Sequence, residues 1–167
     1  SWDFAKFPGS DPRLGPQMKS VGEVMALGRT FAEALQKGLR SLEIGLDGLS
    51  PARRSVDLKP HPERLLVVAD ALRAGSSLAE VYQETAIDPW FLDQLLQIVE
   101  CEREVQTKLD ADTLRKAKKL GFSDAQLARL SHKSHDQVRA WRQQLGIVAR
   151  YQRVDTCAAE FEAQTPY

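Results

Sequence analysis

The chain has 167 residues, enough for one domain with a real core, and its 23 basic and 23 acidic residues cancel to a net charge of zero. With 43% hydrophobic and 28% charged residues it has the composition of a soluble globular protein, and it has no basic excess for nucleic acid or an anionic membrane. No apolar run is long enough to span a bilayer, so no membrane partner is predicted.

Cysteine usage bears on the compartment. Cys101 and Cys157 are the two cysteines, too few for a disulfide framework or a thiolate zinc site. We therefore expect a cytoplasmic protein. Cys157 has no base near it in sequence, and a small buried apolar residue is the better interpretation than a catalytic thiol.

The first 29 residues differ from the rest. SWDFAKF alternates apolar and polar residues, PGSDPRLGP has the composition of a loop, and Val21 to Ala26 favours a strand. Two strands alone are marginally stable in water. We therefore expect these residues to be remnants of a sheet that continues elsewhere.

A helical pattern begins at Thr30, which Glu33 follows three residues later in the arrangement of a capping box. Apolar residues then recur at helical spacing, at Phe31, Leu35, Leu39 and Leu42. The glycine- and proline-containing stretch from Gly45 to Pro60 predicts a linker after this helix.

Two further helices follow the linker. Pro62 suits the first turn of a helix over Glu63 to Ala74, with Gly75 as its C-terminal stop. Ser77 and Glu80 form a second capping box that opens a short helix.

Asp88 and Pro89 together are a strong helix start, because an N-cap carboxylate precedes a residue that lacks an amide hydrogen. The helix that follows is apolar around much of its circumference, which predicts the central helix of a bundle. Its apolar residues are Phe91, Leu92, Leu95, Leu96, Ile98 and Val99.

The last third predicts three shorter helices, over Asp112 to Leu120, from Ser123 through Leu130, and over His135 to Leu145. The tail from Ile147 to Tyr167 alternates again and is expected to be extended. The predicted fold is therefore mainly α, an irregular bundle of about six or seven helices with short strand remnants at both ends.

The last two of these helices also resemble a helix-turn-helix, a pattern that can enter a major groove. Arg139, Arg142 and Gln143 would lie on the exposed side of the second helix. Charged helical hairpins are also common as scaffolding, and the chain as a whole has no basic excess. A nucleic-acid-binding module is therefore kept as the alternative function.

No catalytic constellation can be assembled from the residues. The glycines at Gly9, Gly15, Gly22 and Gly28 fit no nucleotide-binding spacing. His132 and His135 have a spacing that can place two imidazoles on one helical face, but no third ligand accompanies them, and a solvated turn is the better interpretation. An independent small enzyme is therefore not predicted.

Four segments resemble one family, in the same order. They are QMKSVGEVMALGRTFAEALQKGLRSLE (17–43), IDPWFLDQLLQIVE (87–100), LRKAKKLGFSDAQLARL (114–130) and RVDTCAAEFEAQTPY (153–167). Together they resemble the large chain of carbamoyl phosphate synthase. The parent chain of that family is several times longer, so the resemblance predicts that these residues are one part of it.

The resemblance implies a division of the chain. Residues 1–29 would be the C-terminal remnant of the first ATP-grasp (carboxyphosphate) synthetase domain, residues 30–147 a helical oligomerisation domain, and residues 148–167 an extended linker towards the second synthetase domain. The family's ATP-grasp sites hold magnesium with carboxylates and an asparagine, and this chain contains no asparagine. ATP and Mg or Mn are therefore expected elsewhere in the parent enzyme, with no cofactor, metal or catalytic residue in this part.

The resemblance also implies a function and partners. The parent is a ligase that makes carbamoyl phosphate from bicarbonate, glutamine-derived ammonia and ATP for pyrimidine and arginine biosynthesis, with a glutaminase small subunit. This part would connect the synthetase domains and self-associate. Glu23 resembles a lining residue of the carbamate passage, although a solvated glutamate is the simpler interpretation. The variable linker suggests a self-association surface at Leu49, Val56 and Leu58.

Overall fold

The architecture is taken from a computed structural model, which describes residue 7 and residues 9–20, 22–52 and 57–151. These residues form seven α-helices, which confirms the prediction of a mainly helical bundle of about six or seven helices. The helices are α1 (Phe31–Ser41), α2 (Arg64–Ala74), α3 (Leu78–Thr85), α4 (Pro89–Thr107), α5 (Ala111–Lys119), α6 (Asp124–Ser131) and α7 (His135–Gln144).

The strands predicted at the two ends are not found in the described residues. Residues 22–28 and 147–151 form no regular strand, so the strand predicted up to Ala26 is wrong over the described positions. The segment instead lies on α1, where Lys37 Nζ donates to the Leu27 carbonyl at 3.0 Å. A Cβ on Gly28 would come within 2.6 Å of the Ala34 nitrogen. The other expected strand residues, in 1–6 and 152–167, lie outside the described residues, as does Cys157.

The helix starts follow from their capping residues. Thr30 accepts a hydrogen bond from the Glu33 amide at 3.2 Å, as the capping pattern predicts. The Glu33 carboxylate accepts a hydrogen bond from the Arg29 amide at 2.9 Å, whereas a capping box would use the amide of Thr30. Ser77 and Glu80 form the full capping box, and Asp88 accepts from the Trp90 amide at 2.9 Å.

One helix start differs from its prediction. α2 has Glu63 as its N-cap residue, so Pro62 lies before the cap and not in the first turn. Arg64 and Leu66 donate their amides to the carbonyls of His61 and Glu63, a tight turn that completes the entry. At the other end Gly75 adopts the left-handed conformation, with φ of 100°, and stops the helix as predicted.

α4 is the central helix, as its apolar circumference predicts. It packs against α1, α2, α3, α5 and α6. Its residues Leu92, Leu95, Ile98 and Val99 are at most 2% exposed. Burying each such side chain contributes about 1.5–3 kcal/mol, so this face of α4 carries much of the stability.

The last three helices pack at the C-terminal end of the bundle. Asp110, Ser123 and Ser134 cap α5, α6 and α7 with their side-chain oxygens. Val138 is fully buried and Trp141 packs against the same core, so α7 presents an apolar face to the bundle. None of the described helices is both long and apolar enough to cross a membrane.

Candidate functional site

Residues 42–52, called the connector loop below, follow α1 and are fixed to the helical body by buried and half-buried polar groups. Arg73 of α2 is the first anchor. Its guanidinium donates to both oxygens of Glu102 on α4, at 2.7 and 2.8 Å, and to Asp70 at 2.6 Å. It also donates to the Leu49 carbonyl at 2.5 Å, and the Ala52 amide donates to Asp70 at 2.8 Å. One arginine thus ties the loop to two helices.

Charge pairing compensates the burial of this anchor. The Glu102 side chain is 7% exposed and that of Arg73 20%. Burial alone lowers the pKa of Arg73, but the hydrogen bonds and charges of Glu102 and Asp70 outweigh it and raise that pKa. A buried ion pair of this kind contributes little to the free energy of folding, whereas removing one partner leaves the other charge buried without a counter-charge and destabilises the fold.

Asp47 supplies the second anchor. Its carboxylate accepts two hydrogen bonds from Arg129 on α6, at 3.0 and 3.1 Å, and one from the Ser50 hydroxyl at 2.6 Å. Its backbone carbonyl accepts from the Ser123 hydroxyl at 2.7 Å. Burial raises the pKa of Asp47, but the hydrogen bonds from Arg129 and Ser50 and the Arg129 charge leave it below its ordinary value.

The third anchor is Gln36, which lies at Gly48 beside a second buried glutamine, Gln126, whose side-chain amide has no hydrogen-bond partner among the described residues. Gln36 on α1 is fully buried, donates to the Leu120 carbonyl at 3.0 Å and accepts from the Leu49 amide at 3.2 Å. Gly48 has φ of 152° and lies against the side-chain oxygens of Gln36 and Gln126. A Cβ there would overlap both oxygens, so this position requires glycine.

The predicted self-association residues fall on or near this loop. Leu49 is fully buried in the domain core, so its side chain cannot contribute to an exposed surface in this fold. The physical reason is that its amide donates to Gln36 and its carbonyl accepts from Arg73, so the backbone is held against the helices, and its apolar side chain is stabilised by burial in the core. Leu58 is partly buried against the core. Val56 lies outside the described residues.

The predicted exposed arginine of the helix-turn-helix is engaged inside the domain. Asp124 lies between Lys118 at 2.9 Å and Arg142 at 3.0 Å, and Arg142 also donates to the Ile147 carbonyl at 2.6 Å. The expectation that Arg142 lies free on the outer side is therefore wrong, because Asp124 neutralises it. Arg139 and Gln143 are exposed as predicted.

The other candidate residues are placed apart from one another. Glu23 is exposed and has no hydrogen bond or ion pair to the described residues. His132 ends α6 in the left-handed conformation, whereas His135 begins α7, so the two imidazoles do not share a helical face. The described part of the chain holds no cluster of three His, Cys, Asp or Glu residues suited to a metal. Burial raises the pKa of the Cys101 thiol to about 12.

An open cleft of about 500 Å³ lies where the N-terminal segment meets α1. Met25, Ala26 and Leu27 form one side, and Lys37 and Arg40 contribute to the other. Its lining is mixed, with apolar side chains on the first side and basic side chains on the second.

Sequence reasoning missed the anchors, although two of them left a signal. Gln36 occupies the position between the buried residues Ala32 and Leu39, on the apolar stripe of α1. Glu102 lies likewise between Ile98 and Val105 on the buried face of α4. A polar residue on a stripe of this kind indicates a buried partner, because buried polar groups are hydrogen-bonded.

Comparison with known proteins shows which family the chain resembles. Residues 23–146 match the family described as carbamoyl-phosphate synthetase large chain, oligomerisation domain. The chain is 50% identical to the carbamoyl phosphate synthase large chain of Xanthomonas axonopodis pv. citri, 49% to that of Neisseria meningitidis and 46% to that of Nostoc sp.. Each match covers 98% of this chain but 16–17% of the relative, so the chain spans about a sixth of the length of the curated relatives it matches.

Proposed function

The chain belongs to the family of carbamoyl-phosphate synthetase large-chain oligomerisation domains, and from this premise we propose that it connects the parts of a longer enzyme chain and binds further copies of itself. The observation that carries the proposal is the extent of the family match. It spans residues 23–146 and contains the whole packed helical body, from Phe31 to Gln144. The unit that defines the family thus includes all seven described helices.

The anchors support a mechanical role. A domain that connects other parts of a chain needs a defined shape. The connector loop is fixed to α1 by Gln36, to α2 and α4 by Arg73, and to α6 by Asp47. This anchored loop lies next to the variable linker in which we place the self-association surface.

Light scattering on a size-exclusion column, over a wide range of loading concentrations, tests the proposal. We expect the mass to rise from that of the 18.7 kDa monomer to a dimer or larger species as concentration increases. A constant monomer mass at every concentration would contradict self-association through this domain.

The surface itself can be tested by charge reversal. Lys59 and Asp57 form an exposed ion pair in the linker, with side chains 81% and 60% exposed. Lys59→Glu should weaken the association without unfolding the domain, because exposed pairs contribute at most about 1 kcal/mol to stability. Lys119→Glu, an exposed lysine on α5, is the matched control and should leave the association unchanged.

For the longer chain we propose the family's activity: a cytoplasmic ligase that makes carbamoyl phosphate from bicarbonate, glutamine-derived ammonia and ATP, for pyrimidine and arginine biosynthesis. A glutaminase small subunit is the proposed partner. The relatives are carbamoyl phosphate synthase large chains, which supports this product. We propose that ATP and its Mg or Mn bind in the remaining five sixths of such a chain, since the described residues hold no group of three His, Cys, Asp or Glu residues suited to a metal ion. We propose no catalytic residue here.

Glu23 is proposed to line a passage for carbamate in that longer chain. Its exposed carboxylate, held by no described residue, is compatible with a wall that another domain completes. Glu23→Ala should uncouple the overall synthesis from the two partial ATPase reactions. The matched control is Glu84→Ala, an exposed glutamate on α3. If synthesis stayed coupled in the Glu23 variant, with both partial reactions normal, Glu23 would have no role in the passage.

A further inference from the structure

A second cleft, of about 240 Å³, opens between the end of the connector loop and the helices α2, α4 and α6. Three arginines line it, Arg73, Arg103 and Arg129, and we call it the arginine cleft. Glu102 is the one acidic residue of this lining, and the side-chain amide of Gln106 completes its polar part. The apolar residues of the lining are Pro51, Val99 and Leu130.

The α4 side of the cleft is a stripe on one face of that helix. Val99, Glu102, Arg103 and Gln106 stand at i, i+3, i+4 and i+7, the spacing that places side chains on one helical face. Arg129 comes from α6, which packs against α4. The cleft therefore brings polar side chains of two helices together.

The positive charge of the lining is only partly compensated. Both oxygens of Glu102 accept hydrogen bonds from Arg73, at 2.7 and 2.8 Å, so this carboxylate is already neutralised. Arg129 is paired with Asp47 of the connector loop. Arg103 forms no ion pair with any described residue and is exposed. The arginine cleft therefore carries one unbalanced positive charge.

Several hydrogen-bond donors of the lining find no acceptor among the described residues. Nη2 of Arg103 donates to the carbonyls of Leu72 and Arg73, at 2.9 and 3.1 Å, which leaves its Nε and Nη1 unused. Arg129 uses Nε and Nη2 in its pair with the connector loop, which leaves Nη1. The side-chain amide of Gln106 is also unused. Because two carbonyls hold the Arg103 guanidinium in place, these donors are preorganised for a ligand.

The unused donors favour an anion with more than two acceptor oxygens. Guanidinium groups bind carboxylates and phosphates through paired hydrogen bonds. In this domain a single arginine, Arg73, already donates to both oxygens of a carboxylate, that of Glu102. A phosphate group has further oxygens that point in other directions. It can therefore accept hydrogen bonds from Arg103 on α4 and from Arg129 on α6 at the same time.

The volume of the cleft limits the molecule that carries the phosphate. Pockets for drug-sized ligands have volumes of about 300–1,000 Å³, whereas the arginine cleft has about 240 Å³. We propose that the arginine cleft binds the phosphate group of a small phosphorylated molecule. This site goes beyond the proposed function and does not depend on self-association.

Two of the cleft arginines also anchor the connector loop. Arg73 donates to the Leu49 carbonyl, and Arg129 donates to the Asp47 carboxylate. A ligand that binds the folded domain and not the unfolded chain stabilises the fold. Phosphate bound in the cleft should therefore raise the unfolding temperature of the domain.

Titration of the 167-residue chain with inorganic phosphate, at constant pH and ionic strength, tests the site. Heteronuclear NMR follows the backbone amide signals. We expect saturable shifts centred on Arg103, Gln106 and Arg129, with a dissociation constant in the millimolar range. The unfolding temperature should rise in parallel. Malonate, a carboxylate of similar charge, should bind at least about tenfold more weakly, because its oxygens do not match donors on two helices.

Two variants should remove the binding. Gln106→Glu places a carboxylate in the cleft at an exposed position, and Arg103→Gln removes the unbalanced charge. Each should weaken phosphate binding by about tenfold or more, because like charges repel and a charged donor is lost. The matched controls are Gln143→Glu and Arg139→Gln, at exposed positions on α7 outside the cleft. Both controls should bind phosphate within about twofold of the unmodified chain.

Three outcomes would overturn the proposal. Shifts that grow without saturation, or that are unchanged in Gln106→Glu, would show only general screening of surface charge by phosphate. Malonate that binds as tightly as phosphate would show that the cleft does not select a phosphate group. Shifts at Gln106 and Arg129 that depend on protein concentration without phosphate would show that a second copy covers the cleft. Because Gln106 is exposed, Gln106→Glu keeps the test valid if Arg103→Gln does not fold.

Discussion

The connector loop and an aromatic cluster at the first turns of α1 and α4 reverse the usual placement of polar and apolar groups. In the loop, charged and amide side chains such as Arg73 and Gln36 lie inside and meet partners within the domain. In the aromatic cluster, formed by Phe31, Trp90 and Phe91, Trp90 and Phe91 are about half exposed and meet each other and Phe31 edge to face. Buried polar groups that are paired serve the fold of this domain. Exposed aromatic side chains in a contiguous group commonly mark an interaction site.

Breaking the first anchor should have the largest effect. Arg73→Met leaves Glu102 buried, 5% exposed, without its counter-charge. We expect the free energy of unfolding to fall by about 3 kcal/mol, as for other buried pairs that lose one partner. Urea unfolding followed by circular dichroism measures it. Arg115→Met, which removes an exposed pair with Asp112, is the control and should cost less than about 1 kcal/mol.

The glycine between the two glutamines should be nearly as sensitive. Gly48→Ala places a methyl group against Gln36 and Gln126 at a φ that only glycine adopts easily. We expect a loss of roughly 2 kcal/mol, in the range for overpacked interiors. Gly15→Ala is the matched control, because a Cβ there meets nothing within 4 Å. Equal unfolding midpoints for the two variants would contradict a tightly packed connector loop.

The Asp47 anchor predicts a dependence of stability on pH. Its pKa in the folded protein lies below the ordinary value of 3.8, so the stabilisation is present above that value and is lost as the pH falls through the lowered pKa. Asp47→Asn should lower the free energy of unfolding by about 1.5 kcal/mol at neutral pH. The difference from the unmodified chain should shrink in acid. Asp112→Asn, whose side chain is 96% exposed, should show almost no difference at either pH.

The aromatic cluster should contribute least to the stability of the domain itself. Trp90→Ala removes two edge-to-face contacts and little buried area, so we expect a loss of about 1 kcal/mol or less. Tyr82→Ala is the control on α3, and thermal unfolding of the 167-residue chain compares the two. A loss above about 3 kcal/mol would place Trp90 among the core residues and remove the contrast with the connector loop.

The helices could be predicted because their signals are local. Ser77 with Glu80 and Asp88 with Pro89 specify starts within four residues of the chain, and Gly75 specifies an end. The prediction of end strands was wrong over the described positions for the opposite reason. A strand exists through its pairing with another strand, and that pairing is not encoded by the residues of one strand alone.

The anchors could not be predicted because they join distant residues. Arg73 and Glu102 are 29 positions apart, and Asp47 and Arg129 are 82 apart. A periodic sequence pattern does not reveal contacts between residues so far apart. For the same reason Leu49, whose backbone is held by Gln36 and Arg73, was expected on a surface. The family, by contrast, could be identified from short runs of residues such as Ile87 to Glu100, with no knowledge of packing.

Hydrogen–deuterium exchange, compared between the 167-residue chain and a full-length chain that contains it, tests the contrast most directly. The amides of Trp90 and Phe91, in the exposed first turn of α4, should be better protected in the full-length chain. The amides of Leu49 and Ala52, held by Gln36 and Asp70, should be protected equally in both. Unchanged protection at Trp90 and Phe91, or protection of Leu49 that appears only in the full-length chain, would contradict the account.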